Sequence, residues 1–198
     1  QRVEPHAFFV EWELYVHTFN LDGVTMNQKL FSRIIKIGGT VLITIFAIMF
    51  VLGFITGETD LMSELYKKIG TMAEIAAIAA FALWVIRLAF IELKKRKFTY
   101  VKWVQLGFKL LKEHHMIIGW VAFSAALAHG SYFFLQTSEE AESIYSGLAT
   151  LIGFAILVSF GLILNKWGKG KKYLKFKKIH QAIAVVFGIA LGIHLLFG

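Results

Sequence analysis

The sequence predicts an all-α protein, a membrane-embedded bundle of five helices, and three observations carry that prediction. Hydrophobic residues make up 57% of the 198 and charged residues only 17%, with a mean hydropathy of +0.64. A soluble domain of this length needs a far more polar surface. Proline occurs once, at Pro5, so the apolar stretches are free of the kinks that proline introduces. Five runs are apolar over the roughly 20 residues that a helix needs to cross a hydrocarbon core. Lipid offers their backbone groups no partner outside their own helix, which makes a helical bundle the economical architecture.

Residues 1–33 read as an N-terminal segment distinct from the spans. HAFFVEWELYVHTFNL is rich in aromatic residues but interrupted by Glu11 and Glu13, too short and too charged to cross. Such a segment is expected at the membrane interface or docked on a partner. The first residue is Gln rather than Met, as in a chain that is processed or incomplete at its start. Residues 34–198 form the five-span transmembrane domain. The first span, 34–56, is the cleanest, with no charge from Ile37 to Gly57. The second, 72–92, contains Arg87; the third, 115–135, and the fifth, 179–198, carry histidines near both ends, and the fourth is 144–165. The stretch FTYVKWVQLGFKLLKE, 98–113, sets Lys among aromatic and aliphatic residues at near-helical spacing, the pattern of a helix lying in the interface.

The connections differ in charge. Segment 93–114 holds Lys94, Lys95, Arg96, Lys97, Lys102, Lys109 and Lys112, and segment 166–178 holds seven lysines. Between the third and fourth spans QTSEEAESIYS has three glutamates and no cation. The positive-inside rule puts the basic segments in the cytoplasm, with the N-terminus inside and the C-terminus outside a cytoplasmic (inner) membrane. The net charge of +8 is thereby read as topology and contact with anionic lipid rather than nucleic-acid binding.

Cysteine is absent, which excludes disulfides, iron–sulfur clusters, thiolate zinc sites and covalent attachment of a c-type haem. A metal would have to sit on His, Met or carboxylate. Four of the seven histidines make the signal. In HHMIIGWVAFSAALAHG, His115 and His129 are 14 residues apart, and in HQAIAVVFGIALGIH, His180 and His194 are also 14 apart. Fourteen helical steps return to within roughly 40° of the starting direction and advance about 21 Å. Each helix therefore presents one imidazole near each membrane face. The third and fifth spans run parallel, so His115 pairs with His180 inside and His129 with His194 outside. Two imidazoles facing one another are the axial ligands of a six-coordinate haem iron, so the pattern predicts two b-type haems between the third and fifth spans.

Small residues beside the ligands, Gly119, Ala122, Ala125, Ala126, Ala184, Gly188 and Ala190, leave room for flat macrocycles and equally serve ordinary helix packing. His114 competes with His115 as the inner ligand, but only His115 repeats the spacing of 14. His6 and His17 lie outside the spans and read as interfacial residues or as ligands of an extra cofactor. Arg87, toward the cytoplasmic end of the second span, either meets a propionate of the inner haem or snorkels to the headgroups. Trp120, Phe123 and Phe187 lie at depths between the two haem levels, where they fill the path of an electron or pack a core.

The stretch HHMIIGWVAFSAALAHGSYFF, followed after another span by KKIHQAIAVVFGIALGIHLLF, resembles the haem-binding helices of the ferric reductase-like transmembrane domain family, shared by ferric reductases and NADPH oxidases. The resemblance covers about residues 72–198. It implies that His115, His129, His180 and His194 are haem ligands and that electrons move from a cytoplasmic to an outer haem. The sixth span and the cytoplasmic flavin- and NAD(P)H-binding domain of many members lie outside the resemblance.

These residues point to a transmembrane electron-transfer cytochrome b, a subunit of a redox system. The sequence leaves two other readings open: a membrane anchor and quinone-site subunit of a dehydrogenase or reductase complex, and a transporter or proton channel that uses the histidines without haem. The Gly-Lys-rich GKGKK at 168–172 lacks the strand and the third glycine of a dinucleotide fingerprint. The electron donor is therefore expected to be a redox partner protein or a quinol, with no nucleotide-dependent activity in the isolated chain.

Overall fold

The computed structural model describes residues 28–56, 59–98, 101–135, 141–168 and 170–197. It contains helices α1 (Gln28–Ile55), α2 (Asp60–Lys95), α3 (Val101–Leu135), α4 (Ala141–Trp167) and α5 (Lys171–Phe197). All five are long and apolar enough to cross a membrane. The chain divides after Ile34; of the first unit only the opening turns of α1 are described, and the architecture below is that of residues 35–198. The aromatic stretch of the N-terminal segment, with His6 and His17, lies outside the described residues.

Each helix runs further than the apolar stretch that predicts it. α2 begins twelve residues before the expected span, because Thr59 caps it by accepting a hydrogen bond from the backbone N–H of Met62 (3.3 Å) and Asp60 places a negative charge in the first turn. It ends on Lys94 and Lys95, with Lys97 beyond it at φ 52°, in the left-handed region. The residues expected to form a separate interfacial helix, 98–113, do not do so. From Val101 they are the first turns of α3 and run without a break into the third span. No proline interrupts them, and Phe108 stacks on Phe90 of α2 with ring centres 6.4 Å apart and planes within 8°. That contact carries the helix straight on alongside α2. α4 and α5 are joined through Gly170, whose φ of +57° suits a residue without a side chain.

The closest pairing is α2 with α3; α4 pairs next most closely with α5, and α3 meets α4. Small residues make the first pairing possible. Ala73 and Ala77 of α2 and Ala122, Ala125 and Ala128 of α3 are all buried, the last three completely. Without bulky side chains between them the backbones draw near, which is how helices gain dispersion energy where no water drives them together. At the end of the bundle near Thr59 the contact widens to aromatic rings. Tyr66 and Tyr132 lie flat on one another, 4.0 Å between centres and 3° between planes, and the Tyr66 hydroxyl donates to the carbonyl of Met49 on α1. Phe46 and Ile69 complete that cluster. Outward-facing Ile37, Ile75, Val186 and Ile189 are more than half exposed, the distribution suited to a hydrocarbon surround.

Ala125→Leu is expected to force α2 and α3 apart and cost about 1–3 kcal/mol. Val186→Ala, at a side chain 67% exposed among the described residues, is expected to stay within about 0.5 kcal/mol. Thermal unfolding of the two variants in one detergent, followed by circular dichroism, compares them directly.

Candidate functional site

The four paired histidines occupy two levels, each bounded by all of α2, α3, α4 and α5. At the level nearer the Lys-rich ends, His115 of α3 and His180 of α5 have ring centres 6.4 Å apart and planes at 89°. The Ala80 carbonyl of α2 lies beside His115, and the Leu157 carbonyl of α4 lies beside His180. Gly161, one turn beyond Leu157, opens the way to that carbonyl; a Cβ there would sit 3.3 Å from His180 Cε1. The Nδ1 atoms of both rings are buried and complete no hydrogen bond among the described residues. His114 is buried, 2% exposed, and takes no part in this ring pair.

The other level is held by side-on contacts. His129 Nδ1 lies 2.9 Å from the carbonyl oxygen of Tyr66 on α2. A carbonyl only accepts, so Nδ1–H is the donor and Nε2 is left with its lone pair free. Tyr66 is four residues before Gly70, so this carbonyl already serves the helical N–H of Gly70. A side chain at position 70 would cover it: a Cβ there would stand 2.6 Å from His129 Nδ1. On the opposite side, His194 Nδ1 is 3.1 Å from Ser146 Oγ of α4, and a Cβ on Gly147 would be 3.3 Å from His194 Cε1. His129 and His194 line one cavity of about 680 Å³, together with Gly70, Gly147 and, from α2, Lys67 and Glu74.

An apolar layer separates the two levels. Ala77, Ala122, Phe154 and Phe187 are buried there as one cluster, one residue from each of α2, α3, α4 and α5. Phe154 and Phe187 have ring centres 4.6 Å apart, and Phe123 meets Phe154 edge-on at 5.5 Å. Phe187 and Phe123 belong to the sequence-derived set of residues between the levels. Trp120 touches Phe123, at 6.1 Å. At the Lys-rich end, Arg87 of α2 and Lys112 of α3 lie within electrostatic reach of Lys177 on α5. Three helices thus bring cations together about one to two turns beyond His115 and His180.

The donor set narrows what the levels can hold. Among the described residues no three His, Asp or Glu side chains are placed to share a metal ion. Each level offers two imidazoles, so a metal there must bring its other ligands with it. An imidazole nitrogen sits ~2 Å from a bound metal and its ring centre about 1 Å behind, so two imidazoles on opposite sides of one metal have centres about 6 Å apart. The 6.4 Å between His115 and His180 fits that spacing. The cavity between His129 and His194 falls within the ~300–1,000 Å³ of small-molecule and cofactor sites. The ring spacing at one level and the cavity at the other are thus compatible with a cofactor that brings its own further metal ligands.

Comparison of the chain with protein-family models, with curated proteins and with solved structures returns no match.

Histidine spacing alone does not reveal Tyr66, Gly70, Ser146, Gly147, Gly161 or Phe154. One signal was present for two of them, since Gly147 and Gly161 are 14 residues apart, the interval of the histidines they face. Tyr66 contributes a backbone carbonyl, which every residue has and no sequence marks.

Gly70→Ala is expected to push the His129 ring off the Tyr66 carbonyl. The readout is the Nδ1–H signal of His129 by nuclear magnetic resonance with ¹⁵N-labelled histidine, which should shift or vanish in this variant and persist in Gly38→Ala, where a Cβ meets nothing within 4 Å.

Proposed function

We propose that this chain is a transmembrane cytochrome b, a subunit of a redox system that holds two bis-histidine haems and passes electrons across a cytoplasmic membrane. The observation that carries the proposal is the pairing of four histidines on two levels, with the His115 and His180 rings 6.4 Å apart, a spacing at which both would reach one metal, and His129 and His194 in the wall of one cavity. The resemblance of the two histidine helices to the ferric reductase-like transmembrane domain points the same way. Haem iron, when bound, supplies the one-electron chemistry that no side chain here provides.

The protein's part is ligation, orientation and exclusion of water. His115 and His180 would hold the inner group, and His129 and His194 the outer one. The Tyr66 carbonyl fixes His129 in the tautomer whose Nε2 is an available ligand, the usual task of the group behind a metal-bound imidazole. Ala77, Ala122, Phe154 and Phe187 keep the space between the levels apolar and closed to water. Arg87, with Lys112 and Lys177 near it, sets positive charge where the carboxylates of an inner macrocycle would need it. The same basic end would steer an acidic electron donor, and a quinol in the bilayer is the other donor that the site admits.

Purified protein is expected to contain two haems per chain, both released by acid acetone because no cysteine can retain them. His129→Ala or His194→Ala should lose one haem and His115→Ala or His180→Ala the other, read as loss of different components in the reduced-minus-oxidised spectrum. A preparation without haem overturns the proposal.

Orientation has its own test, because the chain contains no cysteine. Single cysteines at Glu64 and Lys95, both exposed and at opposite ends of α2, are expected to react differently with a membrane-impermeant thiol reagent on intact cells. Labelling at position 64 and protection at position 95 agree with basic ends in the cytoplasm; the reverse pattern inverts the inner and outer levels.

A further inference from the structure

The groups behind the four histidines are not alike. His129 donates to a backbone carbonyl, and carbonyls lie beside His115 and His180, but the Nδ1 of His194 faces a hydroxyl, Ser146 Oγ at 3.1 Å. A carbonyl can only accept, whereas a hydroxyl can donate or accept. The chemistry at Nε2 decides which role Ser146 plays. If the serine donates, His194 keeps its proton on Nε2 and cannot bind a metal there. For ligation Nδ1 must carry the proton, and Ser146 must accept it.

The serine is also held firmly for this task. One turn further along α4, Thr150 places its hydroxyl 2.8 Å from the Ser146 carbonyl and 3.2 Å from the Ala190 carbonyl of α5, tying the two helices together beside His194. Thr150 is buried, so this tie is dry. Gly147 then leaves the imidazole face uncovered next to the serine.

We infer that Ser146 is a positioning residue that sets the redox potential of the outer centre by accepting the Nδ1 proton of His194. The inference rests on the two-haem reading above. An acceptor behind a ligating imidazole makes the ring more basic, and a more basic ligand favours the oxidised metal. Removing the acceptor favours the reduced metal and raises the potential of that centre. The inner centre, about four helical turns away across Phe154 and Phe187, keeps its potential.

The test is a spectroscopic redox titration of haem-loaded wild type, Ser146→Ala and Ser146→Thr. Ser146→Ala is expected to raise one of the two midpoints; a tenfold loss of preference for oxidised iron corresponds to about 59 mV for one electron. Ser146→Thr, which keeps a hydroxyl, should restore the wild-type value. If Ser146→Ala instead loses the outer haem, Ser146→Thr must recover both the haem and its midpoint. Two bound haems with unchanged midpoints in Ser146→Ala overturn the inference while leaving the two-haem reading intact, and so does a threonine variant that behaves like the alanine variant. Absence of haem from the wild type itself removes the reading on which the inference depends, a distinct result.

Discussion

The close approach of α2 to α3 is the constraint on which the site depends. A side chain cannot hydrogen-bond to a carbonyl inside a neighbouring helix unless that helix is near and its surface is bare at that point. Ala73 and Ala77 against Ala122, Ala125 and Ala128 satisfy the first condition, and Gly70 the second. The Tyr66 carbonyl is then able to serve its own helix and His129 at once. The energy of one such bond is modest, about 1 kcal/mol net in a folded protein. Its value is directional: it selects one tautomer and one ring orientation for His129 at the wall of the cavity.

A shared register extends that constraint through the bundle. Residues seven apart on a helix lie nearly on one face, about 10 Å apart along the axis. On α3 the series is His115, Ala122, His129; on α5 it is His180, Phe187, His194; on α4 it is Gly147, Phe154, Gly161. α2 joins at Gly70 and Ala77. Each level therefore sets imidazoles from two helices against the other two, with glycine opposite them on both α2 and α4 at the His129–His194 level and on α4 alone at the His115–His180 level. The middle positions fill the intervening layer with two phenyl rings and two methyl groups. α2 and α4, which carry none of the four histidines, thus contribute the Tyr66 carbonyl, the Ser146 hydroxyl and the glycine gaps beside the rings.

Much of this was legible in the sequence, and the omissions have physical reasons. The five helices follow from uninterrupted apolar runs, and the two levels from the duplicated spacing of His115 to His129 and His180 to His194. Hydropathy reports which residues tolerate lipid, not where a helix stops. α2 therefore starts at a capping threonine well outside its apolar run, and the basic stretch from Val101 continues into α3 instead of lying apart from it. The partners of the histidines were hidden for a different reason. Tyr66 acts through its backbone, and Gly70 acts by having nothing to show; only the approach of a second helix gives either residue a role. Ser146 looks like any serine in a membrane helix until His194 arrives opposite it.

The length of α2 and α3 has a mechanical meaning. Helices of 36 and 35 residues reach more than 50 Å at ~1.5 Å per residue, well past a hydrocarbon layer about 30 Å thick. Stacked through Phe90 and Phe108, the pair makes a stiff prop that stands clear of the apolar spans at the Lys-rich end. His115 belongs to the same unbroken rod as Lys102 and Lys109. A protein settling on that end would bear on a helix that runs without a break from the surface lysines to the imidazole.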